Sequence, residues 1–512
     1  MFALTRNKSK KQTAAADALA ATQLLVEGLP RDDPLAALRE LAAQLDRVKA
    51  DDEVRPFRAF EIVDLIDRVG RPHYRKAAHE YVLGQRRLTK FQETQLWTGV
   101  SAYLFELSQG YRYCLAKYEV GADSIGSLTP LLPVICARAL RIGAARLKWS
   151  YLRYRPLEPR HWSELAALYF LAETNGFARQ VLPLYRGAAQ DSCVEHEFLK
   201  TLILAISSPT ALLPEQIEIA ERLIVRSVGD FVISAAVTDK LQHYIDLRSD
   251  AGPQRLTAGE KLRFTARAFG VCRAVERLQA IDRGLEQGEM TPRELSLTQE
   301  FEIEVIRATI RHLLRQWRPP LPQRRHSRQR QSTPLTVAHD PDEVTANIGG
   351  LSYPFVSEQE TWLMDNRSDS GLHAVVMSPQ GRWIEVGSLI AYREGEDAIW
   401  SAGLVRRVAR EDDDTRQVAV ETIAHGGAAV TVLPLAAGQR AEPAEGVLCT
   451  LLLGRNVASD QLTLLMPPKS FSPTAAREMR AYDRRYRLIP LRLIESWAGY
   501  EIARFKVLQL AE

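Results

Sequence analysis

The chain has 512 residues, 46% of them hydrophobic and 25% charged, a balance that excludes a disordered or fibrous protein and a length that calls for more than one domain. Its formal net charge of +4 is too small for polyanion binding by bulk charge, so any anion site must be local. Cys114, Cys136, Cys193, Cys272 and Cys449 are scattered, with no zinc-like spacing, and no run of roughly 18 apolar residues occurs; reduced thiols, no membrane insertion and a cytoplasmic location are expected.

In chain order, residues 1–18 read as a disordered basic tail, and residues 19–317 as an all-helical domain, a bundle or an irregular solenoid. Leu35, Leu38, Leu41, Leu45 and Val48 recur at the three- and four-residue steps of one buried helix face, as do Phe60, Val63, Ile66 and Val69. Ile217, Ala220, Leu223 and Ile224 repeat the pattern. Helix boundaries are expected at Gly28–Pro30, Gly70–Pro72, Thr129-Pro130, Gly252-Pro253 and Thr291-Pro292, the last with Glu294 as a capping partner. Trp162, Leu165, Ala166, Tyr169 and Ala178 fall at spacings that resemble one tetratricopeptide hairpin, although Tyr185 stands where a small residue is usual and no second copy is clear.

After Arg318 the texture changes. Residues 318–334 form a Pro/Arg-rich linker, and short β-rich runs separated by turns follow, as an antiparallel barrel or two stacked sheets require. The runs are Trp383–Arg393, Ile399–Val408, Val418–Ile423, Ala429–Leu433, Val447–Leu453, Leu462–Met466, Tyr486–Glu495 and Tyr500–Val507. The first barrel is expected over 335–435, and 436–512 as a β-rich extension or a degenerate second barrel. The fold class is therefore multidomain α plus β, a large helical part followed by an antiparallel barrel and a further small β unit.

Two motifs carry chemistry. Arg324 and Arg328 give R-x-x-x-R within a Pro-broken arginine cluster, and Asn366, Ser368 and Gly371 give N-x-S-x-x-G where a strand runs into a polar turn. Arg offers a planar fork for phosphate or for a guanine edge, and a face that stacks on bases. Asn366 and Ser368 alternate, so an extended segment presents the carboxamide and the hydroxyl to one side, while Gly371 permits positive φ and leaves no Cβ toward a ligand. In this order, and followed by β-rich sequence, the two motifs resemble the signature of the PilZ family, whose bacterial domains bind cyclic di-GMP. The resemblance covers roughly residues 323–435 and includes Trp383, Gly387–Ile390 and Gly403–Arg406 as later strands. It implies a β-barrel with cyclic di-GMP as ligand, held by Arg324, Arg328, Asn366, Ser368 and Gly371, with Arg325 as an accessory. Asn stands at 366 where Asp is commoner, and Thr336–Phe355 is longer and less strand-like than the family pattern.

The expected function is an effector in which nucleotide binding orders the arginine strap and re-orients a helical domain that binds a protein partner or self-associates. No turnover and no metal are expected. No paired acid and base, G-x-S-x-G, Walker or G-x-G-x-x-G motif is present, and neither His73 and His79 near Glu80 nor Glu195-His196-Glu197 has H-E-x-x-H spacing. Two rivals predict differently. A scaffold whose barrel has lost the nucleotide shows no cyclic di-GMP affinity; a nucleic-acid binder using Arg324–Arg330 is steeply salt-dependent and indifferent to Asn366.

Overall fold

The computed structural model describes residues 18–509 except 52–53, 85–86, 120–127, 157, 188–189, 258, 272, 298–300, 320, 322–328, 352–358, 380, 382, 396–398, 412–413, 435–445, 455–457, 459 and 482–483. The chain divides into two compact units, Met1–Pro322 and Gln323–Glu512.

The first unit is mainly helical. Its elements include the helices Pro34–Ala50, Pro56–Gly84, Lys90–Glu119, Leu132–Tyr151, Arg160–Thr174, Val194–Ile206, Pro214–Arg226, Ala274–Gln287 and Ile303–Trp317. Local chemistry sets several ends. Asp33 caps Pro34–Ala50 by accepting from the Ala36 amide at 2.9 Å, with Pro34 already at the helical φ. The buried face of that helix is Leu38, Leu41, Leu45 and Val48, as the spacing requires. Thr291 and Glu294 make the expected reciprocal cap, but it starts only the short 3-10 turn Pro292–Leu295.

Three details differ from the sequence reading. Pro56–Gly84 runs straight through Gly70 and Pro72, so no boundary falls there. Packing overrides the lost amide: a Cβ on Gly70 would sit 2.1 Å from the Tyr103 hydroxyl, which shows how closely the neighbouring helix approaches. The tetratricopeptide-like hairpin is not formed. Trp162, Leu165, Ala166 and Tyr169 do line the buried side of Arg160–Thr174, but Gly176 turns the chain at φ +76° and, among the described residues, the next helix starts at Val194. Tyr185 lies in the intervening loop, where its hydroxyl donates to buried Asp67 at 2.9 Å and its ring lies 3.9 Å beneath the Arg71 guanidinium. Finally, the unit is not all-helical. It includes a small antiparallel sheet, β1 (Val232–Ser234), β2 (His243–Asp246), β3 (Gln254–Arg255) and β4 (Ala266–Gly270), in the order β1-β4-β2-β3. Strands this short carry too few alternations for a period to show.

Two buried imidazoles give this unit an acid sensitivity. Burial, with Arg146 nearby, pushes His161 down to about 4, and burial with Arg255 does the same for His243. Both values lie below that of free imidazole, so the unfolded chain takes up protons that the folded state resists. Their contribution is complete above about pH 6.5 and is lost as the pH falls toward 4. By pH 5.5 each histidine is expected to cost about 1 kcal/mol. Urea titrations of the wild type and His161→Gln at pH 7.5 and 5.5 check this: the variant must show the smaller pH dependence.

The second unit consists of two closed six-stranded antiparallel barrels. The first is built from β5 (Gln329–Ala338), β6 (Glu360–Ser368), β7 (Gly371–Met377), β8 (Leu389–Arg393), β9 (Ser401–Arg410) and β10 (Thr415–His425), in the order β10-β7-β6-β5-β8-β9. The second is built from β11 (Gly427–Pro434), β12 (Val447–Leu452), β13 (Gln461–Met466), β14 (Arg477–Ala481), β15 (Arg484–Trp497) and β16 (Tyr500–Gln509), in the order β11-β12-β13-β16-β15-β14. A strand assigned to the first barrel by the 435 boundary, β11, therefore belongs to the second. Gly426, at φ +99°, carries the chain from one barrel to the other. The stretch Thr336–Phe355 is long because the helix Pro341–Gly349, capped by Asp340 through the Asp342 and Glu343 amides, follows β5.

The barrels share a core. Val344 and Ile348 of that helix, Leu389, Leu404 and Ala424 of the first barrel, and Leu452, Leu465 and Ile502 of the second form one buried cluster. Polar bonds fix the pairing: the Tyr500 hydroxyl donates to the Gly387 carbonyl at 2.7 Å, and Arg406 reaches Glu495 at 2.7 Å and Glu421 at 2.6 Å.

Candidate functional site at the mouth of the first barrel

Strand β6 brings the N-x-S-x-x-G residues to one end of the first barrel. Trp362 and Met364 point inward and Leu363 and Asp365 outward, the alternation of a strand with one buried face. A bulge follows, because Met364 pairs with Ala374 but Asn366 with His373, leaving Asp365 as the extra residue. Asn366 continues the inward alternation of Trp362 and Met364 and is buried, and its Nδ2 donates to Asp365 Oδ2 at 2.8 Å. Ser368 is half-buried; its Oγ donates to the Gly371 carbonyl at 3.1 Å across the tight turn into β7. Asn366 and Ser368 thus sit two residues apart at the barrel mouth.

Gly371 plays a different part from the one expected. Its φ lies outside the left-handed region, and a Cβ there would meet the Val420 carbonyl of β10 at 2.2 Å. The missing side chain makes room for the neighbouring strand, where Gly371 pairs with Glu421. Gly371→Ala is expected to destabilise the barrel by about 1–3 kcal/mol, with β10 displaced, and denaturant unfolding of the variant checks the loss.

Arg324, Arg325 and Arg328 lie outside the described residues. The chain they belong to re-enters at Gln329, whose partner in β6 is Arg367, and Arg330 pairs with Asn366. The C-terminal end of the arginine strap is therefore anchored beside the Asn-Ser ledge.

Sequence reasoning missed the rest of this end. Arg367, between the two ledge residues, forms an ion pair with Glu394 and keeps 41% of its side chain exposed. Together with His425 it lines an open cleft of about 680 Å³ whose other wall is the second barrel, through Leu451, Leu453, Gln461 and Leu462. Ligand pockets commonly span roughly 300–1,000 Å³. His425 Nδ1 lies 3.2 Å from Ser401 Oγ, and its amide donates to the Leu453 carbonyl at 3.2 Å, which ties the two barrels together at the cleft. The guanidinium was in view, lying inside the motif itself; the apolar wall was not, because nothing in sequence brings β12 and β13 to β6. Arginine, imidazole and carboxamide around an apolar floor suit a planar, anionic ligand with hydrogen-bonding edges.

The histidine and acid groups of the helical unit do other work. Glu197 accepts from Arg141, Lys200 and Ser192, and although burial opposes it, Lys200 and Arg141 hold its carboxyl down to about 2. Among the described residues no helix is long and apolar enough to cross a membrane.

Residues 18–238 match the family model described as "Cyclic-di-GMP receptor FimW, N-terminal domain". The match lies within the helical unit and includes neither barrel. No curated protein matches the chain.

Proposed function

We propose that this protein is a cyclic di-GMP receptor that binds the nucleotide at the mouth of its first, PilZ-like barrel and does not turn it over. The observation that carries the reading is the register of β5 on β6: Gln329, the residue immediately after Arg328, is the partner of Arg367, and Arg330 is the partner of Asn366. The register supports the reading because the described chain begins, one residue after Arg328, beside the Asn-Ser ledge. The family match supports the same ligand from the helical side, on residues unrelated to either motif.

In this reading Arg324 and Arg328, with Arg325 as accessory, supply forked donors to phosphate and to guanine, and Asn366 and Ser368 supply the polar ledge. Asn366 has to exchange its bond to Asp365 for one to the ligand; both partners sit on a barrel whose bulge already fixes their backbone, so the exchange involves side chains alone. The strap joins the helical unit to β5 in sequence, so its contacts with the ligand couple binding to the link between the units. The helical unit is the part available for a protein partner or for self-association.

The test is titration calorimetry with cyclic di-GMP on the full chain. Arg328→Ala and Asn366→Ala are each expected to weaken binding by about 10- to 100-fold, as losing a charge-assisted or base-edge contact does. Wild-type affinity in both variants, or no binding by the wild type, overturns the reading.

A further inference from the structure

We propose that the cleft between the two barrels is the second half of the nucleotide site, and that the C-terminal barrel, which carries no ligand motif, receives the second guanine of cyclic di-GMP on a shelf formed by Leu451, Leu453 and Leu462. The inference rests on the reading above and extends it to a surface outside the two motifs.

Continuity is the first argument. Arg367 lies between Asn366 and Ser368 in β6, projects to the opposite face of the strand and lines the cleft, so ledge and cleft meet at the same strand end. Cyclic di-GMP carries its two bases on a single small phosphate ring, and a base held at the ledge leaves the other to be placed nearby.

The second argument is chemical complementarity. The shelf is leucine-rich, and Leu453 is 55% exposed, beside Ile399 at 78%. A purine face covers apolar surface of this kind, and the gain scales with the area removed from water. At the edge of the shelf stand groups that match a guanine rim: the Arg367 guanidinium for O6 and N7, and the Gln461 carboxamide, donor and acceptor at once, for the Watson–Crick edge.

The third argument is rigidity. The shared core, the Tyr500–Gly387 hydrogen bond and the Arg406–Glu495 ion pair hold the two walls at a fixed separation, so the shelf exists before the ligand arrives. A preformed wall spares the ordering cost that a mobile one would impose. The second barrel then has a reason to be present without a signature of its own: it supplies shape rather than charge.

The experiment uses the full chain and cyclic di-GMP. Leu453→Asp places a carboxylate on the shelf at an exposed position, and Gln461→Ala removes the carboxamide. Each is expected to weaken calorimetric affinity by about 10-fold or more with the melting temperature held, as loss of a base-edge contact or a charge opposed to the ligand does. In the wild type, hydrogen exchange at residues 447–454 is expected to slow when cyclic di-GMP is added. Wild-type affinity in both variants, with no protection at 447–454, overturns the inference and assigns the cleft to another occupant. Asn366→Ala separates the two failures. If it loses affinity while the shelf variants do not, the barrel-mouth reading stands alone. If the wild type binds no cyclic di-GMP, both fall.

Discussion

Replacing Lys148 with methionine is expected to cost the helical unit about 3–5 kcal/mol at neutral pH, although the two side chains are close in length. Lys148 is buried on Leu132–Tyr151, 7% exposed, and its ammonium bonds both Glu218 at 2.8 Å and Glu221 on the helix Pro214–Arg226. Burial opposes the charge, but the two carboxylates hold the ammonium protonated, and Lys148, with Arg222, in turn pulls Glu218 down to about 2. Methionine fills the space and removes the charge, leaving Glu221 beside Glu218, which then keeps only its bond to Arg222. The pH dependence identifies the cause. In the wild type the depressed Glu218 contributes stability above the ordinary carboxylate range, and this is lost as the pH falls toward 2. In the variant the repelling pair binds a proton more readily folded than unfolded, so its stability rises as the pH falls from about 7 to 5. Urea titrations at the two pH values decide it. Parallel loss in both proteins would mean that the ion pair contributes little beyond packing.

The helices were legible where a single buried face repeats, as in Leu38, Leu41, Leu45 and Val48, because amphipathic periodicity is a local property of the chain. It failed where tertiary packing overruled local chemistry. Pro72 stays inside a helix because the surrounding helices hold it there, and Tyr185 is a loop residue because Asp67, far away in sequence, accepts its hydroxyl. The β-rich half was legible as strands and turns, but the partition into barrels was not. Strands alternate in the same way whichever barrel they join, and only the closure order assigns β11 to the second. The short β14 passed unnoticed for the same reason as the sheet in the helical unit, while β7 was not among the runs and the start of β5, Gln329 to Pro334, was read as linker. Asp340-Pro341 was a readable helix start inside a stretch that the sequence marked only as long and less strand-like.

The candidate site divides along the same line. Asn366 and Ser368 could be found because they are close in sequence on one strand, and the strap because its arginines are clustered. Their relation depends on register. A one-residue slip of β5 on β6 would turn the inward side chains of that strand outward, and Leu335, Val337, Trp362 and Met364, all fully buried, hold the register where it is. The hydrophobic pattern that closes the barrel therefore also sets where the strap arrives. The cleft lay beyond sequence reasoning because its two walls come from different barrels.

Gly387→Ala is expected to cost the double-barrel unit about 2–4 kcal/mol, as a strained backbone and an overpacked contact together do. Gly387 sits at φ +90°, where an L side chain is strained, and a Cβ there would lie 2.3 Å from the Trp497 ring of the second barrel. The indole is not free to retreat without consequence, since its Nε1 donates to Glu495 at 3.0 Å and Glu495 holds Arg406 of the first barrel. The same glycine accepts the Tyr500 hydroxyl, so a displaced backbone loosens a second link between the barrels. The two parts of the cost separate in a double variant. Trp497→Ala removes the ring that the new methyl group strikes but leaves the backbone strain, so the cost of Gly387→Ala in that background should fall to about 1 kcal/mol. Denaturant unfolding of the four proteins gives the coupling directly. Equal costs in both backgrounds would place the whole effect in the backbone and remove the indole contact from the account of how the barrels are held together.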